Sequence, residues 1–183
     1  KDYPLPPERI RELRDWSEKR IERYRETRRR QREFRLEQVY KSQKKHVLPL
    51  SRRDMFIAGL FLYWGDGSKT RMNGLAVTNT DPAVAKFFIR WLTRVFSVDK
   101  DRLSIQLHLY KDMDIENELG FWSKTLNIPL SQFGKPYIKK SKKEDITRKG
   151  GFGHGTCSVR INDVRLAEKV LMGLKVIRDN FSL

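Results

Sequence analysis

Cysteine occurs once in the 183 residues, as Cys157. A single thiol excludes an intramolecular disulfide framework and a cysteine-built zinc site, and it suits a reducing compartment. Long apolar runs are also missing. The longest, Met55 to Trp64, falls well short of the roughly 20 residues that span a bilayer. No charged-then-apolar signal segment opens the chain. The expectation is therefore a cytoplasmic protein without a membrane partner, nucleoid-associated if the source is bacterial. The chain starts at Lys1 rather than at a methionine, so a further portion upstream is also expected.

Acidic residues are the minority charge, with 23 Asp and Glu against 39 Lys and Arg. The formal net charge is +16 and the pI is near 10.1. Such an imbalance points to a polyanionic partner, with nucleic acid the default and a ribosome or a membrane surface the remaining options.

Proline and glycine are absent from the stretch after Pro7 up to about Lys45, which is crowded with Glu and Arg. That composition favours helix. Asp15 with Lys19, Glu26 with Arg30 and Glu37 with Lys41 are acid-before-base pairs at i and i+4, which support an exposed helix. The apolar stripe through Ile10, Leu13, Trp16, Ile21, Tyr24, Phe34 and Val39 is interrupted at Thr27 and Gln31, so at most one face packs lightly. The cluster Arg28, Arg29, Arg30, Arg32 and Arg35 has two equal readings: a phosphate-backbone contact or a solvated helix face.

Pro49 ends this pattern and the composition turns apolar, dividing the chain into a basic helical arm or linker over 1–48 and a compact domain over 49–183. Ser51 and Asp54 have the spacing of a capping box. They open a helix, apolar nearly all round, that stops at Gly65, Asp66 and Gly67 and must be buried in the domain or between subunits. A strand is expected over Leu75 to Asn79, and a core-facing helix opens at Asp81 and Pro82 with Val84, Phe87, Phe88, Trp91, Leu92 and Val95 inward.

Arg102 to Tyr110 alternates as a half-buried strand, with Leu103, Ile105, Leu107 and Leu109 on one face and Ser104, Gln106, His108 and Tyr110 on the other. A helix follows over Glu116 to Leu126, then a strand over Pro136 to Lys140. Next comes a basic stretch over Lys139 to Lys149 and a glycine-rich loop to Gly155. Thr156 to Ile161 alternates again, placing Cys157, Val159 and Ile161 inward, and a helix from Asp163 closes the chain. The implied fold class is α/β, more narrowly α+β, with a mixed antiparallel sheet packed under helices.

Such a sheet buries one face and offers the other to a ligand. Gln106, His108, Ser158 and Arg160 carry the donors and acceptors that base-edge readout uses. The competing reading is a polar face that meets only water. Asp66, between two glycines at a helix end, suits a divalent metal beside a scissile phosphate, since Mg²⁺ prefers oxygen ligands. Its competing reading is a helix stop, in which glycine supplies a left-handed turn and the carboxylate caps nearby amides. The stretch Gly151 to Gly155 lacks the Gly-Lys-Ser/Thr of a phosphate loop, and His46, His108 and His154 have no metal-ligand spacing.

The stretch Phe56 to Ser68, FIAGLFLYWGDGS, followed by Leu75 to Pro82, LAVTNTDP, resembles the LAGLIDADG homing endonucleases and their non-cleaving relatives. The likeness covers roughly the last two thirds of the chain, which also resembles single-motif bacterial proteins that place a helix-turn-helix segment ahead of this domain. It implies motif helices packed together in a homodimer through the 52–65 helix, a curved sheet in the major groove of double-stranded DNA, and Asp66 as ligand to a catalytic Mg²⁺. It also implies Lys139 or Lys140 near the scissile phosphate. Matching Ala58 and Gly59 to the family's small-residue pair leaves two extra residues before Asp66, whereas matching Asp66 puts Phe61 where a small residue is usual.

The reading is a homodimeric, sequence-specific DNA-binding protein acting as a Mg²⁺-dependent endonuclease. Gln106, His108, Ser158 and Arg160 would read bases, and Arg28, Arg29, Arg30, Arg32, Lys142 and Lys143 would hold phosphates. The alternatives are a non-cleaving transcriptional regulator on the same fold and an RNA- or ribosome-binding protein.

Overall fold

A computed structural model describes residues 5–70, 73–141 and 153–181. The chain divides into two compact units, Lys1–Leu50 and Ser51–Leu183. The first is one helix, α1, Pro7–Val47, with proline at its start and no buried residue along its 41 positions. Ion pairs line it: Arg9 with Glu12 at 2.8 Å, Arg30 with Glu26 at 2.6 Å and Lys41 with Glu37 at 2.7 Å. Asp15 and Lys19 do not pair. The stripe of apolar side chains stays exposed, and Arg20 and Arg28 lie over the rings of Trp16 and Tyr24.

The second unit begins where Pro49 and the Ser51 cap were expected to break the helix. Helix α2 is Arg52–Asp66, and both halves of its capping box form: Ser51 Oγ accepts from the Asp54 amide at 3.1 Å, and Asp54 Oδ2 accepts from the Ser51 amide at 2.9 Å. Strand β1 is Leu75–Asn79, and helix α3 is Pro82–Val95, capped by Asp81. Strand β2 is Ser104–Tyr110, helix α4 is Ile115–Leu126 and strand β3 is Tyr137–Lys139. Strand β4, Thr156–Ile161, and helix α5, Val164–Phe181, complete the order. The expected strand start at Arg102 is corrected: Lys100–Arg102 forms a 3₁₀ turn capped by Asp99, and β2 opens two residues later.

The four strands lie in the order β1-β4-β2-β3. Strand β4 is antiparallel to β1 and to β2, whereas β3 runs parallel to β2. The sheet is therefore mixed. One face carries Leu75, Val77, Ile105, Leu107, Leu109, Cys157, Val159 and Ile161, all buried in a single core with side chains from α2, α3, α4 and α5. The period-2 alternation put these residues on one face, and the helices cover it.

Trp91 is the hub of the helical layer, fully buried, with its ring 5.0 Å from Phe96 and 5.9 Å from Phe88. Gly59 of α2 lets that indole in, since a methyl group at this position would overlap the Trp91 ring. Only part of α2 is covered. Leu60 and Tyr63 are buried, but Ile57, Phe61 and Trp64 are 36%, 53% and 40% exposed. The burial expected for this helix is met on one side within the chain.

Candidate nucleic-acid interface

The sheet face opposite the helices gathers the polar residues that alternation placed there. Cross-strand pairing sets them in rows: Ala76, Arg160 and Ser104; Thr78, Ser158 and Gln106; Thr156, His108 and Tyr137; and Tyr110 with Lys139. Gln106, His108, Arg160 and Lys139 thus share one surface, as expected of the first three. Gln106 donates to the Lys135 carbonyl at 3.4 Å, and the Lys139 ammonium lies 4.6 Å from the Tyr110 ring centre. The His108 ring leans on Tyr137, 5.5 Å between centres. Tyr137 is a member that alternation in its own strand did not reveal, because three residues are too short for a period and only the pairing with β2 places it.

Ser158 is a correction. It sits on the polar face, yet it is only 1% exposed, so it does not reach a base edge. Its hydroxyl accepts from Thr78 Oγ1 at 2.9 Å and from Arg160 Nε at 3.1 Å. Longer neighbours roof it over, and its chemistry is to hold the Arg160 guanidinium in place.

Burial, with the nearby charges of Arg160 and Lys139 adding to it, lowers the His108 pKa below its ordinary value. Its imidazole is therefore neutral at neutral pH. Its Nε2 is buried and has no partner among the described residues. Burial alone pushes the Cys157 thiol up to about 12, which makes it an inert core residue.

Asp66 ends α2 and is exposed, and its Oδ2 accepts from Asn79 Nδ2 at 3.0 Å. The helix-stop reading is corrected in its details. Gly67 has extended backbone, φ −78°, and is required because a side chain there would strike Tyr63; the carboxylate caps a side-chain amide instead. An acid at the negative end of a helix dipole is electrostatically unfavourable, and the Lys69 ammonium, which donates to the Gly65 carbonyl at 3.2 Å, supplies positive charge at that end. One carboxylate does not make a magnesium centre, however. No group of three or more His, Cys, Asp or Glu that could hold a metal occurs among the described residues.

Lys139 is not brought to Asp66 either. Asp66 is tied through Asn79 to β1, and Lys139 is on β3, at the opposite edge of the sheet; three strand spacings, about 14 Å, separate those two strands. Lys140 follows β3 and is exposed. Within one chain the expected catalytic set is not assembled.

In the arm, Arg30 and Arg29 are engaged by Glu26 and Glu33, and Arg28 lies over Tyr24, while Arg32 carries no such partner. Lys142 and Lys143 lie outside the described residues. No helix among the described residues is long and apolar enough to cross a membrane.

These features define an α+β domain with a helix-covered core and a polar, basic sheet face, preceded by a helical unit. No family model, curated protein or solved structure matches the chain.

Proposed function

We propose that the chain is a sequence-specific double-stranded-DNA-binding protein that uses the uncovered sheet face for recognition and pairs with a second copy through α2. The observation that carries the reading is the convergence of Gln106, His108, Arg160 and Lys139 on one surface of a protein with net charge +16. Gln and Arg are the side chains that pair bidentately with adenine and guanine, and a two-stranded ribbon fits the major groove. Exposed Arg and Lys elsewhere supply contacts to phosphate that orient without specifying.

The second copy is supported by the stripe Ile57, Phe61 and Trp64, where an apolar helix face stands in water. Asp66 lies at the end of the same helix, so two copies joined there would each bring a carboxylate. That proximity is the basis for the endonuclease reading, in which Mg²⁺ would need ligands from both. The LAGLIDADG resemblance of Phe56 to Ser68 supports the same arrangement. Non-cleaving recognition needs no further residues, and it is the reading the single chain supports best.

A random duplex library incubated with the protein in Mg²⁺ and separately in Ca²⁺, with bound and cut molecules sequenced, separates these readings. An enriched pseudo-palindromic motif without cut ends is the expected result. Cut ends within that motif that vanish in Asp66→Asn make the protein a nuclease. Absence of any enriched duplex motif overturns DNA recognition and favours RNA.

A further inference from the structure

Helix α3 has two faces of different chemistry. Phe88, Trp91 and Leu92 enter the core, while Lys86, Arg90 and Arg94 follow one another at i, i+4 and i+8 along the outer side. That spacing sets successive cations about 6 Å apart along the axis. They line a recess of about 330 Å³ together with Lys100, Thr93 and Thr125, floored by Ile89 and Leu126. No carboxylate lines it.

Some basic side chains elsewhere in this chain meet acids, as Arg102 meets Asp163 at 2.8 Å and Arg30 meets Glu26 at 2.6 Å, but these four do not. Among the described residues the side chains of Lys86, Arg90, Arg94 and Lys100 have no hydrogen-bond or ion-pair partner. Four cations held around one cleft repel one another, and an anion in the cleft relieves that repulsion. Thr125 adds a hydroxyl to the lining, whereas the Thr93 hydroxyl donates to the Arg90 carbonyl at 3.2 Å. The recess also lies behind the sheet, on the outer side of the helix that covers the core face, so a duplex seated on Gln106 and Arg160 does not occupy it.

We propose that this recess is a second anion site, built for closely spaced phosphate groups, as carried by a nucleic-acid backbone or by a free oligophosphate. The bidentate geometry of Arg90 and Arg94 suits phosphate oxygens. The i, i+4, i+8 ladder matches a linear run of phosphates better than a single compact anion. The site stands apart from the DNA-recognition reading of the sheet face and does not depend on it.

The test titrates the full chain, ¹⁵N-labelled, with tripolyphosphate and follows the amides of Thr93, Lys100 and Thr125. These shifts should saturate in the wild type and in the sheet-face variant Arg160→Gln. In Arg90→Gln/Arg94→Gln the affinity they report should fall by at least about tenfold, since two charge-assisted contacts are removed. Core amides unchanged in the double variant establish that it is folded. Shifts that never saturate, or that saturate equally in the double variant, overturn the site.

A parallel titration with a short duplex identifies the source of phosphate. If the double variant lowers the salt slope of duplex binding by about 2, the recess holds nucleic-acid backbone. An unchanged slope, with tripolyphosphate affinity lost, assigns it to a free oligophosphate. Loss of all duplex binding in the wild type would remove the sheet-face reading and leave the tripolyphosphate result standing.

Discussion

Helices α1 and α3 are built from the same alphabet of Arg, Lys and apolar residues, but only one of them has an inside. In α3 the apolar residues recur at i, i+3 and i+4, so Ala85, Phe88, Ile89, Trp91, Leu92 and Val95 all become buried. In α1 the apolar positions drift around the helix and none is buried, although Trp16, Tyr24, Phe34 and Tyr40 are as large as anything in the core. Periodicity therefore decides burial, and residue size does not. The arm is held by propensity and local ion pairs, the domain by packing.

The two units should therefore respond to different perturbations, and four variants order the contrast. Trp91→Ala removes a fully buried indole wedged against Gly59, Phe88 and Phe96 and should cost the domain about 3–5 kcal/mol. Denaturant unfolding followed by tryptophan fluorescence measures it, while helical circular dichroism from the arm should persist through the domain transition. A single shared transition would break the contrast. Ser51→Ala removes the hydroxyl half of the α2 cap and should cost about 1 kcal/mol. The same unfolding curve reads that smaller shift.

The pH profile sharpens the contrast on the sheet face. The His108 pKa is lowered in the folded protein, so the unfolded chain takes up the proton first. Domain stability should be full above the ordinary value of 6.5 and should fall as pH drops below it towards the depressed folded value. His108→Gln should flatten that part of the profile. Equal pH dependence in wild type and variant would show that other groups control it.

The smallest effects belong to the arm. Replacing Glu26, Glu33 and Glu37 together by Gln removes the partners of Arg30, Arg29 and Lys41 and should cost a few tenths of a kcal/mol per pair. The loss should appear as reduced helicity at low salt and vanish at high salt, with domain unfolding unchanged.

Much of the architecture is legible in the residues because it rests on local rules. The capping box at Ser51 and Asp54, the cap at Asp81, the alternation in β2 and β4 and the long uninterrupted helix of the arm all announce themselves. What alternation does not tell is coverage. Ser158 and Tyr110 both occupy the outward register and are nonetheless buried, because Arg160 and Lys139 fold over them. Nor does a single strand disclose its neighbours. The parallel placement of β3, which brings Tyr137 beside His108 and carries Lys139 away from Asp66, is a property of the assembled sheet. The basic ladder of Lys86, Arg90 and Arg94 is visible in the sequence, but its lack of acidic partners is not.

The central claim is that the sheet face reads base sequence while scattered cations only hold phosphate. It is tested most directly by measuring, at one salt concentration, the affinity of wild type, Gln106→Ala/Arg160→Gln and Arg32→Gln for the selected duplex and for a scrambled duplex. The double variant should lose about 1–3 kcal/mol on the selected duplex and much less on the scrambled one, while Arg32→Gln should weaken both alike. Equal losses on both duplexes in the double variant, or none, would contradict recognition by this face.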